Sequence, residues 1–455
     1  VQWASLVGSA VAVSLIVEEF AEKKFAAICA AFAVTLPMGI LQSTSTQNDY
    51  VVSFWLLTFV LFTIRYVRTS NPGYAYALGL SFGLAILTKA IAYIFAFPFC
   101  VWLLWRLLRK GVKREWPLIL SAILALVLNL GHYYRNQDLY KDPLGINAEL
   151  APQINGSIGV STTLSNLTRN VALNLGTPWP EANRFVESVV RGVHQALGIS
   201  VDGETFNHTR FGVPFGLHED IAGNPLHLFI LFAAAAFSLI ACKQPIARWY
   251  LACALLGFLL FCVILRWQPW GSRLLLPFFL LMTPAVGLML THVRARYVPA
   301  LMVLLLMAYA VPFALFNSTR PLLELTKRNG ASYEVGLSRF LHLGRDQLYM
   351  MNRPDFYEPY KRAAELATSN NCRDVGLLIG GNTQEYPLWI YLRQRDERVR
   401  TFHIDVTNVS ARKSKNRDTP CAIVAIDRKE SPRGYEGRFE ATPLSPSIRV
   451  YTRNF

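Results

Sequence analysis

Charge is scarce in this chain. Only 16% of its 455 residues are Asp, Glu, Lys or Arg, against roughly a quarter in soluble domains. That excludes an ordinary water-soluble protein for most of the length. Acid is scarcer than base, 30 residues against 45, giving a net charge of +15. The basic residues do not gather on one amphipathic face, so nucleic acid is not an expected partner. No C-x-x-C pair occurs, which removes support for a zinc ribbon or a redox thiol. There is no G-x-G-x-x-G run and no P-loop lysine. Gly380-Gly381-Asn382 is read as a turn. No repeat of fixed period appears and no two halves match, unlike transporters built from repeats. The chain opens at Val1 inside an apolar run, with no charged n-region and no small-residue cleavage site. That run is not a signal peptide, and the natural start is expected upstream.

Apolar residues are abundant, at 53%. Ten candidate spans follow one another: Gln2–Val17, Phe25–Leu41, Tyr50–Tyr66, Tyr74–Leu87, Ile91–Leu108, Trp116–Tyr133, Leu226–Cys242, Ala247–Leu265, Leu274–Leu290 and Val298–Phe316. Runs of about 17–25 apolar residues suit a bilayer. If the ten alternate, one set of loops holds Lys23, Lys24, Arg65, Arg68, Arg106 to Arg114, Lys243, Arg248, Arg294 and Arg296. The opposite short loops hold Lys89, Arg266 and Arg273. By the positive-inside rule the first set is cytoplasmic and the second is outside.

The organisation expected is mostly α: a polytopic membrane protein of about ten transmembrane helices with a small extracytoplasmic α/β domain at the C-terminus. Residues 1–134 carry the transmembrane helices of the core. Residues 135–225 form an extracytoplasmic loop or cap, in which Glu181–Leu197 reads as an amphipathic helix with Phe185, Val189, Val193 and Leu197 at helical spacing. Residues 226–316 return to membrane helices, and 317–455 form the α/β domain. Its strands are expected at Val375–Ile379, Val399–Ile404, Ala422–Ile426 and Ile448–Tyr451, with helices over Tyr360–Thr368 and Tyr386–Gln394. Cys372 and Cys421 lie in that polar region and would pair in an oxidising compartment. The other five cysteines read as buried packing residues. Asn-x-Ser/Thr triplets at Asn155, Asn166, Asn207, Asn317 and Asn408 have the pattern of glycosylation acceptors.

The polar residues of interest collect at the outer ends of the spans. Asp49 stands in Gln47-Asn48-Asp49 between two apolar runs, where a charge is costly unless it lies at an interface or in a wet cavity. Lys89 ends Leu87-Thr88-Lys89. His218-Glu219-Asp220 precedes the seventh span, and Arg273 follows Trp267-Gln268-Pro269-Trp270-Gly271. A carboxylate at a cleft is a general base for a hydroxyl, and a Lys with an Arg can hold a phosphate. Each has a plainer reading. Asp49 would be part of a polar turn, and Lys89 and Arg273 would snorkel to headgroups. The 218–220 acids would simply favour a helix start, and the two tryptophans would anchor at the interface.

Three stretches carry a resemblance to a known family. They are Leu36-Pro37 through Ser43-Thr44-Ser45-Thr46-Gln47-Asn48-Asp49; Gly79-Leu80-Ser81-Phe82-Gly83-Leu84-Ala85-Ile86-Leu87-Thr88-Lys89, similar to a G-L-x-x-G-L-A-x-L-T-K-G run with Ala90 for the last Gly; and Arg273-Leu274-Leu275-Leu276-Pro277, similar to R-Y-x-x-P with Leu274 for Tyr. Over about Val1–Phe316 the chain resembles the GT-C membrane glycosyltransferases, in particular bacterial relatives of protein O-mannosyltransferases and of lipid A aminoarabinose transferases. The resemblance implies a bacterial inner or plasma membrane enzyme. It implies transfer of a sugar from a polyprenyl-phosphate donor to a glycan, lipid or protein acceptor on the extracytoplasmic side. Asp49 would then be a supporting catalytic carboxylate, with the family's leading acidic motif expected upstream of Val1. Lys89 and Arg273 would bind donor phosphate. His218, Glu219 and Asp220 would form an acceptor or metal site, with a divalent metal left open. The alternatives are a transporter or flippase with an external domain, or a lipid-linked polysaccharide ligase or polymerase.

Overall fold

A computed structural model describes residues 1–146, 151–203, 205–328, 332–381, 383–413, 419–428, 430–435 and 437–453. Asn382 of the Gly-Gly-Asn turn therefore lies outside the described residues. The chain forms two compact units, Val1–Val335 and Gly336–Phe455.

The first unit is helical. Its helices are α1 (Gln2–Glu18), α2 (Lys24–Val34), α3 (Pro37–Ser43), α4 (Asp49–Thr69), α5 (Pro72–Thr88), α6 (Ile91–Lys110), α7 (Val112–Tyr140), α8 (Val160–Leu173), α9 (Pro180–Ala196), α10 (Pro225–Ala241), α11 (Pro245–Ile264), α12 (Gly271–Leu274), α13 (Leu276–Leu290) and α14 (Tyr297–Leu315). By length and composition α4, α6, α7, α11 and α14 are able to cross a membrane, and α2 with α3 makes a sixth if the bent pair is one span. Helices α1, α5, α10 and α13 are apolar but have only 15–17 residues. The ten expected runs are thus five long spans, one broken pair and four shorter apolar helices.

Local chemistry sets several boundaries. Pro37 has no N–H to continue α2 and holds Leu36 at ψ 118°, so α2 and α3 meet at a 70° bend. Asn71 caps α5 by accepting the Gly73 N–H at 2.8 Å, and Pro72 occupies the first helical position. Helix α4 carries Asp49 in its first turn and Arg68 in its last, each favourable to the helix dipole.

The glycines of the Gly79–Lys89 stretch bring helices together. A Cβ on Gly79 would fall 2.5 Å from the Ser121 carbonyl oxygen, and one on Gly83 would fall 3.0 Å from Ala125 Cα. Bare backbone on α5 therefore meets backbone on α7, as small-residue contacts do in membranes. Two bonds fasten the seam: Ser121 Oγ donates to Ala75 O at 2.6 Å, and Asn129 Nδ2 to Gly83 O at 2.9 Å. At the end of α4 far from Asp49, Tyr66 and Arg106 both donate to the buried Glu115, at 2.7 and 3.0 Å.

Residues between α7 and α10 build a cap around Trp267. Leu173, Val190, Phe211 and Val213 pack with it, and the Arg169 guanidinium stacks 5.6 Å from its ring. Trp267 is thus a core residue and not an interface anchor. Asn155 and Asn166 are buried. Asn166 donates to the Cys262 and Leu265 carbonyls at 2.9 and 3.0 Å, so neither triplet presents its amide for a glycan. Glu181–Leu197 is helical as its periodicity implies, observed as Pro180–Ala196, but its buried residues are Val190 and His194. Phe185 and Val189 face outward. Helical spacing groups residues on a face without saying which face the neighbours cover.

Near the end of the first unit β1 (Leu323–Arg328) pairs with β2 (Ser332–Leu337) in a two-stranded sheet. The second unit holds a five-stranded sheet in the order β4-β3-β5-β7-β6, from β3 (Asp374–Ile379), β4 (Arg400–His403), β5 (Ala422–Ile426), β6 (Phe439–Ser445) and β7 (Ile448–Arg453). Strand β3 pairs in parallel with β4 and β5, and β7 is antiparallel to both β5 and β6. Strand β5 is buried throughout, as an unbroken apolar run between two covered faces should be. Helices α15 (Arg345–Leu348), α16 (Tyr357–Ala367) and α17 (Glu385–Arg395) complete the unit, with Tyr360, Ala364, Leu388 and Leu392 packing on one sheet face. Cys372 and Cys421 are disulfide-bonded with Cα atoms 5.6 Å apart.

Candidate functional site

The site is built around α3. After Ser43 the chain makes a polar turn: Ser45 Oγ donates to Gln42 O at 3.1 Å and accepts the Gln47 N–H at 3.2 Å. Asn48 Nδ2 then donates to Thr88 O at 2.7 Å, joining the start of α4 to the last turn of α5. That bond sets Asp49 beside Lys89. Lys89 itself leaves the helix with φ −162° and ψ 136°, and its Nζ reaches Asp49 Oδ1 at 2.6 Å. Asp49 is 1% exposed, the Lys89 side chain 23%. Asp49 Oδ2 is buried and has no partner among the described residues. Gln2 Oε1 steadies the same helix start by accepting the Tyr50 N–H at 3.0 Å.

A second group lies on the loop before α10. Arg273, on α12, donates to Asp220 Oδ1. Arg320 pairs with Glu219 at 3.1 Å, and Thr319 Oγ1 donates to Glu219 Oε2 at 2.8 Å. Burial acts most strongly on the Glu219 carboxyl and pushes its pKa up. Hydrogen bonds from its own backbone N–H and from Thr319, with the charges of Arg320 and His218, outweigh burial and hold it below the ordinary value. His218 Nδ1 accepts the Asp220 N–H at 3.1 Å.

Helix α3 connects the two groups. Gln42 Nε2 donates to Glu219 O at 2.8 Å, and the Met38 N–H donates to Asn224 Oδ1 at 3.1 Å. The helix packs against α4, which begins with Asp49, against α12, which carries Arg273, and against α14. So Asp49 meets Lys89, Asp220 meets Arg273, and both pairs are anchored to one short helix. Asp220 and Glu219 each face an arginine. Among the described residues no three His, Cys, Asp or Glu side chains converge as a metal requires.

Sequence reasoning missed Glu219's partners. Thr319 closes the Asn317 triplet, noted only as a glycosylation pattern, and Arg320 follows it directly. In the fold, Asn317 Oδ1 accepts the Thr319 and Arg320 N–H groups at 2.9 and 3.2 Å and shapes the turn that delivers both. The 266–273 segment also holds a row of buried polar atoms without partners among the described residues: Arg266 Nε, Gln268 Nε2, Ser272 Oγ and Arg273 Nε. Leaving such a group unmet costs about 1–3 kcal/mol, so each of these atoms calls for a partner, either an ordered water or a polar ligand atom.

Residues 1–134 match the model of a family described as dolichyl-phosphate-mannose-protein mannosyltransferase. The GT-C resemblance therefore stands over that segment, which contains Asp49, Lys89 and both glycines of the α5–α7 seam. The chain is also similar in structure to ArnT from Cupriavidus metallidurans, solved bound to undecaprenyl phosphate. The match covers 99% of this chain and 83% of that one, at 13% identity and a TM-score of 0.46. No curated protein matches the sequence.

Proposed function

We propose that the chain is a membrane glycosyltransferase of GT-C type, acting on a polyprenyl-phosphate-linked sugar at the membrane surface bearing Asp49 and Lys89. The observation that carries this reading is the buried Asp49–Lys89 pair, with one carboxylate oxygen spare, inside the segment that matches the family. In the proposed reaction an acceptor hydroxyl attacks the anomeric carbon. The bond from that carbon to the phosphate oxygen breaks, and its electron pair leaves with the polyprenyl phosphate. Lys89 and Arg273 receive that phosphate, where fixed cations stabilise the charge as it develops. Asp49 holds Lys89 in place through Oδ1, and the proton of the attacking hydroxyl passes to Asp49 Oδ2 or to the acidic group expected upstream that Asp49 supports. Glu219, kept ionised by Thr319 and Arg320, orients the loop that presents Asp220 to Arg273. The sugar-accepting side is the extracytoplasmic one, motivated by the bias of basic residues toward the opposite loops. The acceptor is a glycan, lipid or protein.

The test is sugar transfer from a radiolabelled polyprenyl-phosphate-sugar pool in membranes containing the protein, beside Asp49→Asn and Lys89→Ala at matched protein level. Transfer that falls sharply in both variants supports the reading. Transfer unchanged in both removes the pair from the site, and no transfer with any donor sinks the enzyme class.

A further inference from the structure

Helix α9 has a wide apolar arc of which the described residues cover only half. Viewed down the axis at 100° per residue, Val186, Val190, Val193 and Leu197 share one stripe, beside His194. That stripe faces the cap core, where Val190 and His194 are buried. Directly alongside runs a second apolar stripe of Ala182, Phe185, Val189 and Ala196, and among the described residues nothing covers it. Phe185 is 69% exposed and Val189 50%, with Trp179 just before the helix at 67%. The polar residues Arg184, Ser188, Arg191 and Gln195 keep to the remaining arc. Bare apolar stripes of this kind mark an interaction surface.

The place of the cap in the fold identifies what covers the stripe. The segment leading into α8 is bonded to the membrane end of a span: the Asn155 N–H donates to Ile264 O at 2.9 Å, and the Arg266 N–H to Gln153 O at 2.8 Å. Ile264 is the last residue of α11, whose Leu256 and Leu259 are themselves uncovered. The exposed apolar residues of the cap begin there, with Ile158 at 80%. Helix α9 is then fastened to α8 through Ser165 Oγ and His194 Nε2, 2.7 Å apart. The cap thus starts at the end of α11, and exposed apolar residues lie both on that span and on the cap. An amphipathic helix bearing Phe185, joined through α8 to the end of that span and with arginines on its polar arc, suits the boundary between headgroups and acyl chains.

We propose that the Trp179–Ala196 face of the cap lies in the bilayer interface, with Phe185 and Val189 inserted among lipids. This rests on reading α11 as a membrane span and not on the proposed enzymatic activity. The test places the photoreactive residue benzoylphenylalanine at 185, at 189 or at the polar position 188 of the full chain, in nanodiscs of phosphatidylcholine and phosphatidylglycerol. After illumination, mass spectrometry reads covalent lipid adducts. Adducts at 185 and 189 several-fold above those at 188 are expected. Equal yields at all three positions would overturn the proposal, as would crosslinks from 185 and 189 to a second copy of the chain in place of lipid. All three positions are exposed, so the substitutions leave the packed stripe intact.

Discussion

Lys89 Nζ stands 2.6 Å from Asp49 Oδ1, a contact between the first residue of one helix and the residue that ends the next. Removing one member of a buried pair strands the other and costs about 3–5 kcal/mol. Part of the Lys89 side chain meets solvent, so the lower end applies. Lys89→Met is predicted to lower stability more than the double variant Asp49→Asn with Lys89→Met. Thermal unfolding in detergent decides: a double variant as unstable as the two single losses added would mean the pair is not coupled.

Arg273 is predicted to govern donor binding separately from fold stability. A charge-assisted bond to phosphate contributes about 1.5–3 kcal/mol. Arg273→Ala should therefore raise the KM for a polyprenyl-phosphate sugar roughly ten- to a hundredfold. Arg273→Lys keeps the charge but loses the two-pronged geometry, so it should fall between. An unchanged KM in both variants would place Arg273 outside the donor site.

Gly79→Ala is predicted to part α5 from α7. The added methyl would meet the backbone at Ser121, which cannot turn away as a side chain can. Overpacking of this kind costs about 1–3 kcal/mol. Gly83→Ala meets Ala125 Cα at a longer distance and should cost less. Unfolding midpoints read both, and equal losses would contradict the close approach.

The cap should loosen in acid. Burial lowers the pKa of His194, and the charges of Arg169 and Arg191 add to that effect against the Val190 carbonyl and Asp202. The neutral ring is the form the fold favours. A histidine with a lowered folded pKa contributes stability that is complete above its unfolded value, about 6.5. That stability is lost as pH falls toward the folded value. Amide protection in α8 and α9, taken relative to the intrinsic base-catalysed exchange rate at each pH, should fall between about pH 7.5 and about pH 5.5. In His194→Gln the protection should be alike at both, and a pH response in protection that survives this substitution would assign it elsewhere.

The helices were legible because apolar runs of span length declare themselves, and the parallel core of the second unit because Val375–Ile379 and Ala422–Ile426 are short apolar runs bounded by turns. Strand β6 escaped notice: Phe439-Glu-Ala-Thr-Pro-Leu-Ser445 has no clean alternation, contains a proline, and lies at the sheet edge with an irregular register near Pro443. The pairing of the site residues was not legible. Asp49, Lys89, Asp220 and Arg273 each stood out as charge at the end of an apolar run, but which acid meets which base depends on the 70° turn of α3 and on Asn48 reaching Thr88. Trp267 misled because an aromatic near a helix end looks the same whether it faces lipid or a folded cap.

The bond between Cys372 and Cys421 closes a ring of chain that contains β3, α17 and β4 and ends where β5 begins. A single protease cut anywhere inside that ring opens the loop without releasing a fragment. The two pieces stay tethered by sulfur and by the parallel pairing of β3 with β5. Damage there would pass unseen on a non-reducing gel and appear only after a thiol is added. In an oxidising compartment the second unit is thus held together by a lock that survives one break in the chain between its two cysteines.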